Sequence, residues 1–214
     1  MAKVGVVLSG CGFLDGSEIH EATLTLYFLD KAGAEIKCMS LDTLQSDVVD
    51  HLKKESIGQE RNVLAEAARI ARGDIKNIDS SGLDALIFPG GFGAAKNLSN
   101  FGSQGVDCKV NPEVESLIQA LYEQNKPMGF ICIAPVLAAK VLGKYGPTLT
   151  VGNDTDTAGA LMKMGAKHQE CPVNEIVVDK DKKIVSTPAY MLGPTISKVA
   201  VGIEKLVDKV LELI

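Results

Sequence analysis

The sequence predicts an α/β protein with a doubly wound, mostly parallel central sheet and helices on both faces. Three observations carry this. Runs at 3–9, 83–88 and 128–133 are apolar almost throughout, as parallel strands buried on both faces require. Between them lie stretches whose apolar residues recur every three or four positions, the helical period. Turn-forming residues follow each run: Ser9-Gly10-Cys11-Gly12, Pro89-Gly90-Gly91 and the turn at Cys132. Alternating strands and helices select a helix-covered parallel sheet. In such sheets a functional site lies beyond the C-terminal strand ends, so these three loops are expected to converge.

Each element has its own warrant. After the strand at 3–9, Ser17 with Glu18 in the first turn marks a helix start. Ile19, Ala22, Leu26, Leu29 and Ala32 form its apolar stripe, and Gly33 ends it. A strand at 34–41 completes a βαβ unit. The polar stretch 42–60 holds His51 and reads as an insertion or hairpin; the whole insertion spans about 42–78 in one domain covering 1–214. A helix at 61–72 is stopped by Gly73, and 77–82 reads as a loop. A short helix follows at 94–98. The segment 99–111 is long enough for a lid or binding loop. Pro112 opens a helix over 112–124. Further on come a short strand at 148–151, a helix at 157–164 and two strands at 175–178 and 183–187 around a charged turn. The final helix spans 193–213, with Pro194 near its first turn.

Composition excludes several function classes. A chain of 214 residues buries a full core without disulfides or metal. Net charge is −5 with no basic block, which argues against nucleic acid as a partner. No apolar run approaches the roughly 18 residues that span a bilayer, and the short apolar start reads as a strand rather than a signal peptide. The five cysteines (Cys11, Cys38, Cys108, Cys132, Cys171) form no C-x-x-C pair, which implies free thiols in a reducing compartment, read as the cytosol. No HxxxH or Cys/His cluster has ligand spacing, so no metal is expected, and no cofactor.

Cys132 carries the chemistry. It stands where the strand at 128–133 gives way to a helix beginning near Pro135, a turn that lifts one side chain above the sheet as in a nucleophile elbow. The helix N-terminus beside the sulfur is expected to lower the thiol pKa. The same residues also suit a buried cysteine serving as a small hydrophobe. Gly90 and Gly91 either make a tight turn or bare two N–H groups as an oxyanion hole, with the Ile133 N–H as a further donor. A phosphate cradle does not fit, because no Lys-Ser/Thr follows. Glu18 and Glu21, three apart, share one helix face; they are either solvated charges at a helix start or carboxyls aimed at Cys132. A buried carboxyl there has a raised pKa and serves as acid or base. His20 is a further acid/base candidate. His168 reads as a surface or strand-entry residue.

Three motifs carry a family resemblance: residues 15–22 (Asp-Gly-Ser-Glu-Ile-His-Glu-Ala), 88–98 (Phe-Pro-Gly-Gly-Phe-Gly-Ala-Ala-Lys-Asn-Leu) and 129–135 (Gly-Phe-Ile-Cys-Ile-Ala-Pro), with Thr187-Pro188-Ala189-Tyr190-Met191-Leu192-Gly193 near the end. Over essentially its whole length the chain resembles the ElbB glyoxalase-like proteins, also called sigma cross-reacting or enhancing lycopene biosynthesis proteins, in the class I glutamine amidotransferase-like, PfpI-type superfamily. The resemblance implies a flavodoxin-like fold, Cys132 as nucleophile and a partner Glu from the first helix, aligned best with Glu21 and next with Glu18. It implies a cofactor-independent lyase of the hydro-lyase type that turns glyoxal into glycolate without glutathione, with methylglyoxal or early glycation adducts as related substrates, and a homodimer. Amidase- and protease-like members carry a His directly after the Cys; here that residue is Ile133, and 149–154 supplies no His either. Proteolysis and glutaminase chemistry therefore lack their general base. The alternative is a thiol-based redox sensor or regulatory binding protein, its cysteine oxidised to a sulfinic acid held by backbone N–H groups.

Overall fold

The computed structural model describes residues 1–193 and 195–214; the expectation placed on Pro194 falls outside them. In chain order the elements are β1 (Lys3–Val7), α1 (Ile19–Lys31), β2 (Glu35–Ser40), β3 (Val49–Asp50), β4 (Glu55–Ser56), α2 (Val63–Ile70), β5 (Lys76–Asn77), β6 (Ala85–Phe88), α3 (Phe92–Lys96), α4 (Phe101–Gln104), α5 (Pro112–Glu123), β7 (Met128–Ile131), α6 (Pro135–Leu142), β8 (Thr148–Leu149), α7 (Thr155–Lys163), β9 (Lys167–His168), β10 (Val177–Asp179), β11 (Ile184–Thr187) and α8 (Ile196–Glu212).

Seven strands form one sheet in the order β10-β11-β7-β6-β1-β2-β5. Every pairing is parallel except that of β10 with β11 at one edge. This is the mostly parallel, helix-covered sheet that the apolar runs predict. The central strands β6 and β7 are buried at every residue. Phe88 and Phe130 stack across that pair at 5.2 Å, one on each strand and on the same side of the sheet.

Each face has its own core. On one, Val114, Leu117, Ile118 and Leu121 of α5 pack with Val136, Leu137, Val141 and Leu142 of α6. On the other, Ala22, Phe28 and Leu29 of α1 pack with Val199, Ile203, Leu206, Val207 and Val210 of α8. The three-and-four spacing along α8 forms the apolar stripe that holds it there. Gly129 on β7 lets α8 approach: a Cβ there would stand 2.8 Å from Leu206 and 3.2 Å from Val210.

Three readings of the sequence need correction. The segment 99–111 is not an open lid: it folds on itself through a Ser99–Val110 bridge and a bond from the Lys109 N–H to the Asn100 side chain (2.6 Å), burying Cys108 and Val110. The loop read at 77–82 begins inside a strand, since β5 pairs with Met39 and Ser40. The strand expected at 148–151 lies outside the main sheet, where β8 pairs only with β9.

Candidate active site

Cys132 follows β7 with φ +62°, a left-handed conformation that non-glycine residues avoid. Such backbone costs about 1–3 kcal/mol and persists only where its surroundings fix it. Here the Cys132 N–H donates to the Thr187 carbonyl of β11 (2.9 Å), and the Ala134 N–H to the Ile131 carbonyl (3.0 Å). Pro135 begins α6 where its missing N–H leaves nothing unpaired. The resulting elbow leaves Cys132 only 8% exposed.

Two loops close over it. The Glu18 N–H donates to the Gly90 carbonyl (2.9 Å), the Gly93 N–H to Gly16 (2.9 Å) and the Phe92 N–H to Phe13 (2.7 Å). The Asn97 side-chain amide donates to the carbonyls of Ser9 and Asp15, both at 2.8 Å. The contact leaves no space for side chains. A Cβ on Gly91, itself at φ +96°, would meet the Glu18 nitrogen and the Gly16 carbonyl, and one on Gly93 would meet Ser9 and Gly16.

Glu21 lies beneath, 0% exposed. Its Oε2 accepts the Gly90 N–H (2.9 Å) and its Oε1 the Tyr190 N–H (3.1 Å). The carboxyl and Cys132 lie against the same side of Gly90, where a Cβ would meet both, and the Gly91 and Ile133 amides lie beside the sulfur. The acid and the thiol thus each face two backbone donors and one another.

Electrostatics follow from that enclosure. Burial, and next the Glu18 charge, push the Glu21 carboxyl up to about 8. Burial, and next the Glu21 charge, push the Cys132 thiol well above its ordinary range. The expectation that the helix N-terminus depresses the thiol pKa is therefore overturned: α6 begins beside the sulfur, but burial and a neighbouring acid outweigh it. Both groups therefore keep their protons up to about 8; above that the pair loses one and holds the other, because two anions this close repel.

The other sequence-predicted site residues divide. Glu18 does not join the acid–thiol pair; it is the N-cap of α1, its Oε2 accepting the Glu21 N–H at 2.7 Å. Ser17, expected to mark that cap, instead accepts the Ser9 N–H on its hydroxyl (2.8 Å). The Gly90 N–H is spent on Glu21 rather than bared as an oxyanion donor, and a Cβ on Gly90 would strike both Cys132 and Glu21. The Gly91 and Ile133 amides do face the sulfur. His20 lies at the rim, its side chain 52% exposed, with Nδ1 2.8 Å from the Tyr190 hydroxyl. His168 reaches the segment after α6, its Nε2 accepting the Val151 N–H (3.4 Å). Among the described residues no three His, Cys, Asp or Glu side chains are grouped to hold a metal ion.

Sequence reasoning missed Tyr190. It follows β11, the strand paired with the elbow strand, and its place in the 187–193 motif was the available signal, though nothing there tied it to Glu21. Ala189 before it has φ +42°, a second strained residue.

No family model matches the chain. It is 48% identical over 225 residues to the human glutamine amidotransferase-like class 1 domain-containing protein 3, mitochondrial, covering 99% of this chain and 83% of that protein. The zebrafish ES1 protein, mitochondrial, is 36% identical over 207 residues, covering 88% and 77%. Among solved structures, an isoprenoid biosynthesis protein with an amidotransferase-like domain from Ehrlichia chaffeensis superposes with a TM-score of 0.92 at 36% identity, over 99% of this chain and 100% of that one. Drosophila melanogaster DJ-1beta, at 18% identity and a TM-score of 0.57 over 99% and 95% of the two chains, shares the fold. These relatives correct the cytosolic reading: both curated proteins are named mitochondrial. Unpaired cysteines report reducing conditions, not which membrane encloses them.

Proposed function

The chain belongs to the glutamine amidotransferase-like class 1 family, on a DJ-1/PfpI-type flavodoxin-like fold, and from that premise we propose that it is a glutathione-independent glyoxalase of the ElbB type. The carrying observation is a buried thiol on a strained elbow beside a buried acid whose two oxygens each accept a backbone N–H.

The sulfur of Cys132 adds to one aldehyde carbon of glyoxal, and the proton leaving sulfur ends on the new hydroxyl of the hemithioacetal. The Gly91 and Ile133 N–H groups stabilise the oxygen during addition. Glu21 as carboxylate removes the proton from the hemithioacetal carbon, giving an enediol, and returns it to the neighbouring carbon. One carbon is thereby oxidised to a thioester and the other reduced to an alcohol, with no external oxidant. Water cleaves the thioester, releasing glycolate and the thiol. Methylglyoxal and early glycation adducts offer the same carbonyl chemistry, and a homodimer is the assembly proposed by analogy with the superfamily.

Ile133 beside the nucleophile disfavours amide hydrolysis, which needs a general base there. In a steady-state assay Cys132→Ser is expected to lower glyoxal turnover by about a thousandfold or more, a loss typical of a removed nucleophile. A Ser variant as active as wild type overturns the proposal.

The Gly91 and Ile133 amides would also suit the oxygens of a sulfinic acid, which favours a second reading as a redox sensor. One two-oxygen adduct at Cys132 after two equivalents of peroxide, with no aldehyde turnover, selects it by intact mass.

A further inference from the structure

We propose that Tyr190, pinned by His20, is a positioning residue that decides whether the charge of the acid–thiol pair rests on oxygen or on sulfur. This rests on the glyoxalase reading for its catalytic consequence, but its primary test does not.

Tyr190 touches the site twice. Its backbone N–H donates to Glu21 Oε1, as the Gly90 N–H does to Oε2. Its hydroxyl meets His20 Nδ1 at 2.8 Å, across from α1. His20 precedes Glu21 in the chain, so the ring and the amide of one tyrosine grip neighbouring residues of one helix turn. The grip has a strain to hold: Ala189, directly before Tyr190, sits at φ +42°, and such backbone relaxes unless its surroundings over-determine it. The turn's own bonds, Met191 N–H to Pro188 and Leu192 N–H to Ala189, fix its shape but not its distance from α1. The Tyr190–His20 bond spans that distance.

The consequence is electrostatic. The groups facing Glu21 are Glu18 from its own helix, Cys132 from the elbow, and Tyr190; those facing His20 are Tyr190 and, at 4.0 Å, Glu18. No lysine or arginine is among them. Once the pair has lost its first proton, the anion rests where backbone donors hold it better. Glu21 has Gly90 and Tyr190; Cys132 has Gly91 and Ile133. Loosening the Tyr190 amide tips the balance toward thiolate and keeps the proton on Glu21. A protonated Glu21 cannot remove a proton from carbon, so reactivity of the sulfur and turnover of substrate should move in opposite directions. A merely structural role would lower both or neither.

The test is the pH profile of iodoacetamide alkylation at Cys132, followed by peptide mass so that the other four cysteines do not intrude, in wild type, Tyr190→Phe, His20→Ala and His20→Asn. Tyr190→Phe and His20→Ala are expected to shift the midpoint down by about half a pH unit, roughly a threefold faster reaction at fixed pH below it, as for loss of part of one hydrogen bond. His20→Asn, whose amide stands where Nδ1 stands, should keep the wild-type profile. Where wild type turns over glyoxal, Tyr190→Phe should lower kcat several-fold with KM unchanged. An unmoved or upward-shifted midpoint in Tyr190→Phe, or an Asn variant indistinguishable from Ala, overturns the inference. Absence of glyoxal turnover in wild type overturns the glyoxalase reading instead and leaves the alkylation profiles to decide this one.

Discussion

Two buried carboxyls lie six residues apart at the start of the chain, and they are treated in opposite ways. Glu21 has both oxygens occupied, by Gly90 and Tyr190, and a thiol besides. Asp15, its side chain 7% exposed, has Oδ2 on the Val49 N–H (2.8 Å) and a buried Oδ1 with no partner among the described residues. His51 Nε2 stands 3.7 Å from that oxygen, and that nitrogen already accepts the Leu14 N–H at 3.3 Å, while Nδ1 donates to the Val49 carbonyl. Two acceptors thus face each other with no hydrogen between. Burial alone therefore does not mark a reactive acid. What marks Glu21 is a backbone donor on each oxygen and a second titratable group beside it; Asp15 ties the 49–56 hairpin to the loop carrying Phe13, and an imperfect fit is tolerated there.

Replacing each acid by its amide separates the two most sharply. Glu21→Gln is expected to reduce glyoxal turnover by about a thousandfold, near 4 kcal/mol in barrier, because an amide cannot take a proton from carbon. A steady-state assay with less than a tenfold loss would equate the two acids. Gly90→Ala probes the same wall from the other side. Its methyl would strike Cys132 and Glu21, and we expect about 1–3 kcal/mol lost in denaturant unfolding, together with turnover.

The next effect is a pH dependence. Glu21 keeps its proton up to about 8 when folded and only to about 4.5 when unfolded. Over that window the folded chain binds the extra proton, so stability from this group is full below about 4.5 and is lost as pH rises toward about 8. The unfolding free energy of wild type relative to Glu21→Gln should fall across that window; a flat difference would mean that the acid is not proton-loaded. The smallest effect belongs to Asp15→Asn. Its NH2 replaces the acceptor facing His51 Nε2, which relieves the opposition without a full new bond because the Leu14 N–H already uses that lone pair, while its oxygen still takes the Val49 N–H. Stability should rise by about 0.5–1 kcal/mol, with turnover within twofold of wild type. A destabilised variant would show that the Asp15 charge itself is needed.

The same contrast explains what the sequence could and could not reveal. The main strands, the elbow and the loops around it were legible because apolar runs of four or more residues end in glycine or proline. β5, β8 and β9 are two residues each, too short to carry a period. Spacing could not choose between Glu18 and Glu21, which share one helix face, and only the family resemblance ranked Glu21 first; the structural reason is that Glu18 turns back to cap its own helix. The thiol's proton affinity was misjudged because a helix N-terminus can be read from a sequence whereas depth of burial cannot. Tyr190 was out of reach as a partner of Glu21, 169 positions away in the chain.

The glycine seam between the first loop and the Pro89–Gly93 turn also limits how the surroundings of Cys132 can be changed. Gly16, Gly91 and Gly93 meet backbone against backbone, so neither wall can be trimmed, having no side chains to shorten, or padded, having no room for a methyl. A lineage or a laboratory selecting for bulkier aldehydes would have to work through the solvent-facing Phe13, Ile19 and Phe92 that flank the seam, leaving the frame that holds the sulfur untouched.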